Sequence, residues 1–206
     1  MGSAMPLRSS FFNEPKGIRK LKVIYKALGF LPLRMPKQNQ IKNTMTTQII
    51  LSPAEVSYAM ALAIGRDASK NQKGCPMTRC KSKISKKHTS FGVNLAGLIG
   101  ELASRKVYGG KINTEILPEG DGHAPDLITA DGRGVEVKTS LYAGSQNEMI
   151  FMPYEVGCSE HYCLVKVTLP DIAYVYPIID LAELESTMYD KDFGYGARKV
   201  YNYKSC

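Results

Sequence analysis

Apolar positions along this chain follow two periods, one helical and one strand-like. Ser52-Pro53-Ala54-Glu55 opens the first helical stretch. Ser52 is a capping residue, Pro53 suits the first helical position, and Glu55 completes a capping box. The pattern predicts a helix to about Ile64. A second helix is predicted from near Ser90 to Gly109-Gly110, with Val93, Ala96, Ile99, Leu102, Ala103 and Val107 as its apolar stripe. Gly100 stands inside it, beside Glu101. A mid-helix glycine costs about 1 kcal/mol against alanine, which points to close packing there. Strand-like runs follow at Lys111–Leu117, Asp126–Ala130, Gly134–Ser140, Tyr162–Leu169 and Ala173–Ile179, and a last helix at Leu181–Tyr189. Residues 141–158 fit neither period cleanly. The order helix, helix, three strands, an ambiguous element, two strands, helix predicts an α/β or α+β domain around a mixed sheet.

The first 45 residues are only weakly periodic. Ile18, Leu21, Ile24, Tyr25 and Leu28 fall at helical spacing, but the segment reads mainly as a basic N-terminal arm, and Met45 makes a plausible natural start. Residues 46–89 read as a helix plus a basic loop, and 90–206 as the core. The loop, residues 66–88, carries eight Lys or Arg and one Asp. A connection of that length is usually functional or disordered.

Charge sharpens this division. Residues 1–90 hold 17 Lys and Arg against three acids; residues 91–206 hold 10 against 16. The balance is +14 in the front and −6 behind, within a net charge of +8. A basic front half predicts a polyanionic partner, most simply nucleic acid, gripped by Lys70, Lys73, Arg79, Lys81, Lys83, Lys86 and Lys87. A solvated basic tail explains the charge equally well. No apolar run approaches the roughly 20 residues that cross a bilayer. The N-terminus lacks a secretory h-region, so the expectation is an intracellular protein with no membrane partner. Five cysteines, Cys75, Cys80, Cys158, Cys163 and Cys206, make no disulfide framework. Zinc would need the first four to meet in space, at spacings unlike the usual knuckles.

The stretch Pro125–Ser140 carries the chemistry. Asp131-Gly132-Arg133-Gly134 is turn sequence between two short apolar runs. Side chains alternate along a strand, so Glu136 and Lys138 share one face and Val135, Val137 and Thr139 the other. Whether Asp126 joins the charged face depends on turn parity. A three-residue loop pairing Ala130 with Gly134 puts Asp126 opposite Lys138 and near Glu136. A loop of two or four residues in a regular ladder puts it on the other face. A shared site therefore predicts an odd loop, or splayed strands. Two carboxylates and an ammonium beside apolar neighbours are costly to bury unpaired. A divalent cation resolves that cost, and carboxylates are the hard oxygen ligands magnesium takes.

Pro125-Asp126, nine intervening residues, then Glu136-Val137-Lys138 resembles the PD-(D/E)xK nuclease superfamily. The resemblance covers residues 90–180. It implies a restriction-endonuclease-like mixed sheet flanked by helices, with a second helix somewhere in 141–158. It implies a magnesium-dependent nuclease, manganese substituting, that acts most simply on DNA. Asp126, Glu136 and the Val137 backbone carbonyl would hold the metal, Lys138 would assist, and Glu101 on the preceding helix would be a further carboxylate. Gln146 is a weaker candidate. Double-strand cutting would favour a homodimer. His123 reads as loop surface, and Tyr142, Tyr154 and Tyr162 as core, with base stacking the lesser alternative. A non-catalytic nucleic-acid-binding module on the same fold and a zinc-organised structural protein are the competing classes.

Overall fold

A computed structural model of the chain describes residues 46–72, 89–116, 124–141, 147–194 and 196–203. The arm 1–45 and the basic segment 73–88 lie outside the described residues. The elements are β1 (Thr47–Ile50), α1 (Pro53–Gln72), α2 (Ser90–Tyr108), β2 (Lys111–Ile112), β3 (Leu127–Ile128), β4 (Gly134–Ser140) and β5 (Glu148–Phe151). After a 3₁₀ turn at Pro153–Glu155 come β6 (His161–Thr168), β7 (Ile172–Val175), β8 (Ile179–Asp180), α3 (Leu181–Thr187), β9 (Tyr189–Asp192) and β10 (Ala197–Asn202).

Both long helices start as their sequences dictate. The Ser52 N–H donates to Glu55 Oε2 at 2.6 Å and the Glu55 N–H to Ser52 Oγ at 3.3 Å, closing the capping box. Thr89 caps α2 by accepting from the Gly92 N–H at 3.1 Å. Gly109, at φ +70°, ends that helix by donating to the Arg105 carbonyl. The first helix runs past the expected stop at Ile64 to Gln72. Apolar periodicity fades there because charge takes over: Arg66 anchors the extension to α2 through Glu101 at 3.0 Å.

Seven strands form a mixed sheet in the order β1-β7-β6-β4-β3-β2, with β8 on the remaining length of β6. Among the described strands, β4 and β6 are the one parallel pair, with Glu136 beside Tyr162, Lys138 beside Leu164 and Ser140 beside Lys166. A second, antiparallel sheet has the order β5-β10-β9.

Alternation splits the large sheet between two cores. Leu127, Val135, Val137, Cys163, Val165, Val167, Ala173 and Val175 are buried on one face. Against them packs α2, through Leu95, Leu98, Ile99 and Leu102. The contact is closest at Gly100, where a β-carbon would collide with the Thr139 hydroxyl. Val93, expected in that stripe, is instead exposed. The opposite face presents Tyr162 and Leu164 to the small sheet and α3, forming a core with Met149, Phe151, Tyr176, Ile179, Leu184, Tyr201 and Tyr203. Phe151 meets Tyr162 edge-on, with centroids 5.4 Å apart. Such a contact contributes about 1 kcal/mol beyond area burial.

The second helix expected in 141–158 is not present among the described residues. Met149 and Phe151 are fully buried while Ile150 is exposed, which is the strand period, so this segment pairs with β10 as β5. Of the run expected at Lys111–Leu117, residues 111–116 are described and only Lys111–Ile112 is strand, and β9 and β10 extend the fold beyond the last expected helix. The architecture is mixed α/β. Among the described residues no helix is long and apolar enough to cross a membrane.

Candidate active site

The hairpin of β3 and β4 is set by its turn. Leu127 pairs with Val135 and Ile128 with Gly134, leaving five residues, Thr129 to Arg133, as the loop. The Thr129 N–H donates to the Arg133 carbonyl at 2.9 Å, the Gly132 N–H to Thr129 O at 3.0 Å, and the Arg133 N–H to Thr129 Oγ1 at 3.0 Å. Gly132 sits at φ +89°, a conformation glycine adopts without strain. The Asp131 side chain accepts from Thr129 Oγ1 and from Arg133 Nε. The bond from Arg133, seconded by Thr129, holds the Asp131 carboxyl down at about 2.

The loop is odd, but two residues longer than the expected three-residue connection, which shifts the partner of Gly134 from Ala130 to Ile128. Continuing that register places Asp126 across from Glu136 rather than Lys138, on the face that carries both. Pro125 packs against Gly134, where a β-carbon would stand 3.2 Å from the proline ring. Asp126 Oδ2 accepts the Val137 N–H at 2.8 Å. Adjacent strand partners exchange N–H and C=O from one edge of the chain, so the Val137 carbonyl is also directed past the end of β3, toward Asp126.

Lys138 stands at the centre of a carboxylate group. Its Nζ is 3.1 Å from Glu136 Oε1 and 3.4 Å from Glu155 Oε1, and lies 5.7 Å from the Phe151 ring centroid. Burial of the ammonium pulls its pKa down. Glu136, Glu155 and Asp126 together outweigh that pull and hold it above the ordinary lysine value. Glu155 is itself fixed: its Oε2 accepts the Met152 N–H at 2.7 Å in the 3₁₀ turn.

Glu101 is placed differently. It is 4% exposed on α2, which packs against the Val135–Thr139 face, and it is bound by Arg66, whose Nη2 also donates to the Asn113 carbonyl at 2.8 Å. Among the described residues no three His, Cys, Asp or Glu side chains gather as a metal-holding group. The hairpin thus brings together Asp126, Glu136 and Lys138, and Arg66 engages Glu101. Two carboxylates still match the usual magnesium arrangement, in which one or two acids hold an ion that keeps its waters and meets substrate phosphates. The donor chemistry therefore fits the expected metal without Glu101.

Many of the remaining candidates fall outside the described residues. Lys70 belongs to α1, but its side chain, together with Lys73, Arg79, Lys81, Lys83, Lys86 and Lys87, lies outside the described residues. So do Gln146, His123, Tyr142, Cys75, Cys80 and Cys206. Tyr154 is 65% exposed. Tyr162 is a core residue whose hydroxyl accepts the Gly157 and Ser159 N–H groups. Cys158 is exposed, while Cys163 is buried and donates to the Tyr176 carbonyl at 3.2 Å. Burial pushes the Cys163 thiol up to about 12.

Sequence reasoning missed Phe151 and Glu155, which reach Lys138 from β5 and the 3₁₀ turn after it, a segment that pattern alone did not resolve. No protein-family model matches the chain, and no curated protein matches it.

Proposed function

We propose that this protein is a metal-dependent nuclease that hydrolyses phosphodiester bonds, most simply in DNA, on a restriction-endonuclease-like sheet. The observation that carries the reading is the five-residue turn, which sets Asp126 across from Glu136 on the face of Lys138. A purely structural hairpin has no need to collect two carboxylates and an ammonium at one position.

Asp126, Glu136 and the Val137 carbonyl would hold magnesium, or manganese in its place. Such an ion supplies a water of lowered pKa and polarises a phosphoryl oxygen. The protein's own groups do the rest. Lys138, kept as an ammonium by Glu136 and Glu155 at 3.1 and 3.4 Å, donates to an oxygen of the phosphate where negative charge develops. Glu155 and the Phe151 ring fix the direction of that donor. The basic segment 66–88, with the arm, would grip backbone phosphates without regard to sequence, a contact that weakens steeply with salt. The connection between β4 and β6 departs from the superfamily pattern, since its described part is strand and 3₁₀ turn.

A second reading has its own support. Lys138 is already ion-paired and Asp126 already accepts a backbone N–H, which suits a non-catalytic nucleic-acid-binding module whose charges hold the hairpin together.

Supercoiled plasmid, incubated with and without Mg²⁺, separates the two. The nuclease reading expects metal-dependent nicking or linearisation, lost in Asp126→Ala and Lys138→Ala. If plasmid, linear duplex, single strands and RNA all survive with Mg²⁺ or Mn²⁺ while DNA is still retarded on a gel, the binding module replaces it. That module should keep or gain affinity in Asp126→Ala.

A further inference from the structure

The 3₁₀ turn beside Lys138 carries a second side chain, and this one faces solvent. Tyr154 is the most exposed large hydrophobic residue among those described, at 65%. It stands one residue before Glu155, whose Oε1 is 3.4 Å from Lys138 Nζ. A 3₁₀ helix has three residues per turn, so successive side chains leave it about 120° apart. Glu155 points at Lys138, and Tyr154 emerges beside it.

The turn is pinned on both sides of this ring. On one side the Glu155 N–H donates to the Met152 carbonyl at 2.9 Å, and the Met152 N–H to Glu155 Oε2 at 2.7 Å. On the other, the Gly157 and Ser159 N–H groups donate to the hydroxyl of Tyr162 at 3.0 and 3.1 Å, and Tyr162 is fully buried. Cys158 Sγ donates to the Tyr154 carbonyl at 3.3 Å. The main chain of Tyr154 is thus held while its side chain is left in water. Tyr189 gives the contrast. It is 42% exposed, but its hydroxyl donates to Glu148 Oε1 at 3.0 Å. Among the described residues no such bond holds the Tyr154 hydroxyl. A tyrosine ring on a fixed support offers a large contact surface that needs little further ordering when a ligand meets it.

The ligand must suit both neighbours, a phosphate oxygen at Lys138 and a flat apolar face at Tyr154. A nucleotide does, since every base has a π-face. We propose that Tyr154 is a stacking platform for an unpaired nucleobase next to the phosphate at Lys138. The platform rests on the nuclease reading for its ligand and narrows that ligand. Bases within an intact duplex are stacked on one another and out of reach, so the strand at the site is single or frayed. The contact is to a base, and is separate from the phosphate grip of the basic segment 66–88.

The test uses the full chain in EDTA, so that no strand is cut. Fluorescence anisotropy follows a short labelled single strand across a salt series. Tyr154→Ala is expected to weaken binding about tenfold, the effect of one stacked base. The slope of log affinity against log salt stays unchanged, because no phosphate contact is lost. Tyr154→Phe keeps the affinity. A fully abasic strand binds the parent and Tyr154→Ala alike. The chain contains no tryptophan, so Tyr154→Trp supplies a lone reporter. Its emission is expected to be quenched by the strand, and not by the abasic strand or by inorganic phosphate.

Binding of Tyr154→Ala within twofold of the parent overturns the platform. So does emission in Tyr154→Trp that a saturating strand leaves unchanged. A loss in Tyr154→Ala with a slope smaller by about 0.7 overturns it too, since that marks a lost phosphate contact on a single strand. If base-dependent binding through Tyr154 is found while no nucleic acid is cut with Mg²⁺ or Mn²⁺, the platform stands and the nuclease reading falls. If nucleic acid is cut but Tyr154→Ala binds as the parent does, the platform alone falls. If the parent binds no strand of DNA or RNA, both fall.

Discussion

Replacing Arg66 by methionine tests what Glu101 does. The carboxylate is 4% exposed, and the guanidinium, itself 20% exposed, meets it at 3.0 Å. Removing one member of a buried ion pair costs 3–5 kcal/mol, because the other charge stays desolvated. Arg66 retains some solvent, so the lower end applies, about 3 kcal/mol. For a chain of this size that is a fall in Tm of about 6–12 °C. Arg66→Met/Glu101→Leu removes both charges and should recover to within about 1.5 kcal/mol of the parent. The remainder reflects the lost bond from Nη2 to the Asn113 carbonyl. Urea and thermal unfolding of the parent, both single variants and the double variant give the cycle. A loss below about 1 kcal/mol in Arg66→Met, or a double variant no better than Arg66→Met, would refute the reasoning. A further variant weighs Glu101 as a reacting group under the nuclease reading. If the work of Glu101 is to lock α1 to α2, Glu101→Gln should cleave plasmid at near the parental rate well below its Tm. Loss of cleavage in a folded Glu101→Gln would return it to the metal site.

Two further outcomes follow from packing and protonation. Gly100→Ala drives a methyl into the Thr139 hydroxyl and should cost about 1–3 kcal/mol, with Thr139→Ala in the same chain restoring most of it; urea midpoints decide, and additivity of the two changes would count against the contact. The Cys163 thiol rises from 9.0 to about 12, and the Tyr108 and Tyr176 phenols from 10.0 to about 12, chiefly through burial, so the folded state holds protons the unfolded chain has released. Stability from these groups is full below about pH 9 and is lost as pH climbs toward 12; Tm against pH should fall over that window, and less steeply in Cys163→Ala.

How much of this was legible depended on which force set each element. Capping and long apolar stripes are local, so α1, α2 and β4 could be read from Ser52, Glu55, Gly109 and the alternation around Glu136. The far end of α1 could not, because an ion pair to a residue 35 positions away extends it. The small sheet was opaque for a related reason. Met149-Ile150-Phe151-Met152 is a short apolar run without alternation, and only pairing with β10, some 50 residues later, makes Met149 and Phe151 one face of a strand. The candidate site followed the same rule. Asp126, Glu136 and Lys138 share one hairpin and were found together, whereas Glu155 arrives from another layer.

The pairing of β3 with β4, rather than the length of the turn, guards the placement of Asp126. Residues added between Ile128 and Gly134 can be absorbed by the loop with both strand pairs kept, which leaves Asp126 across from Glu136. A one-residue slip of β3 along β4 would carry Asp126 to the opposite face and, in the same movement, take Leu127 out of the core. The apolar neighbour thus holds the acid in place, so that a slip damaging the proposed site is also penalised by the hydrophobic core.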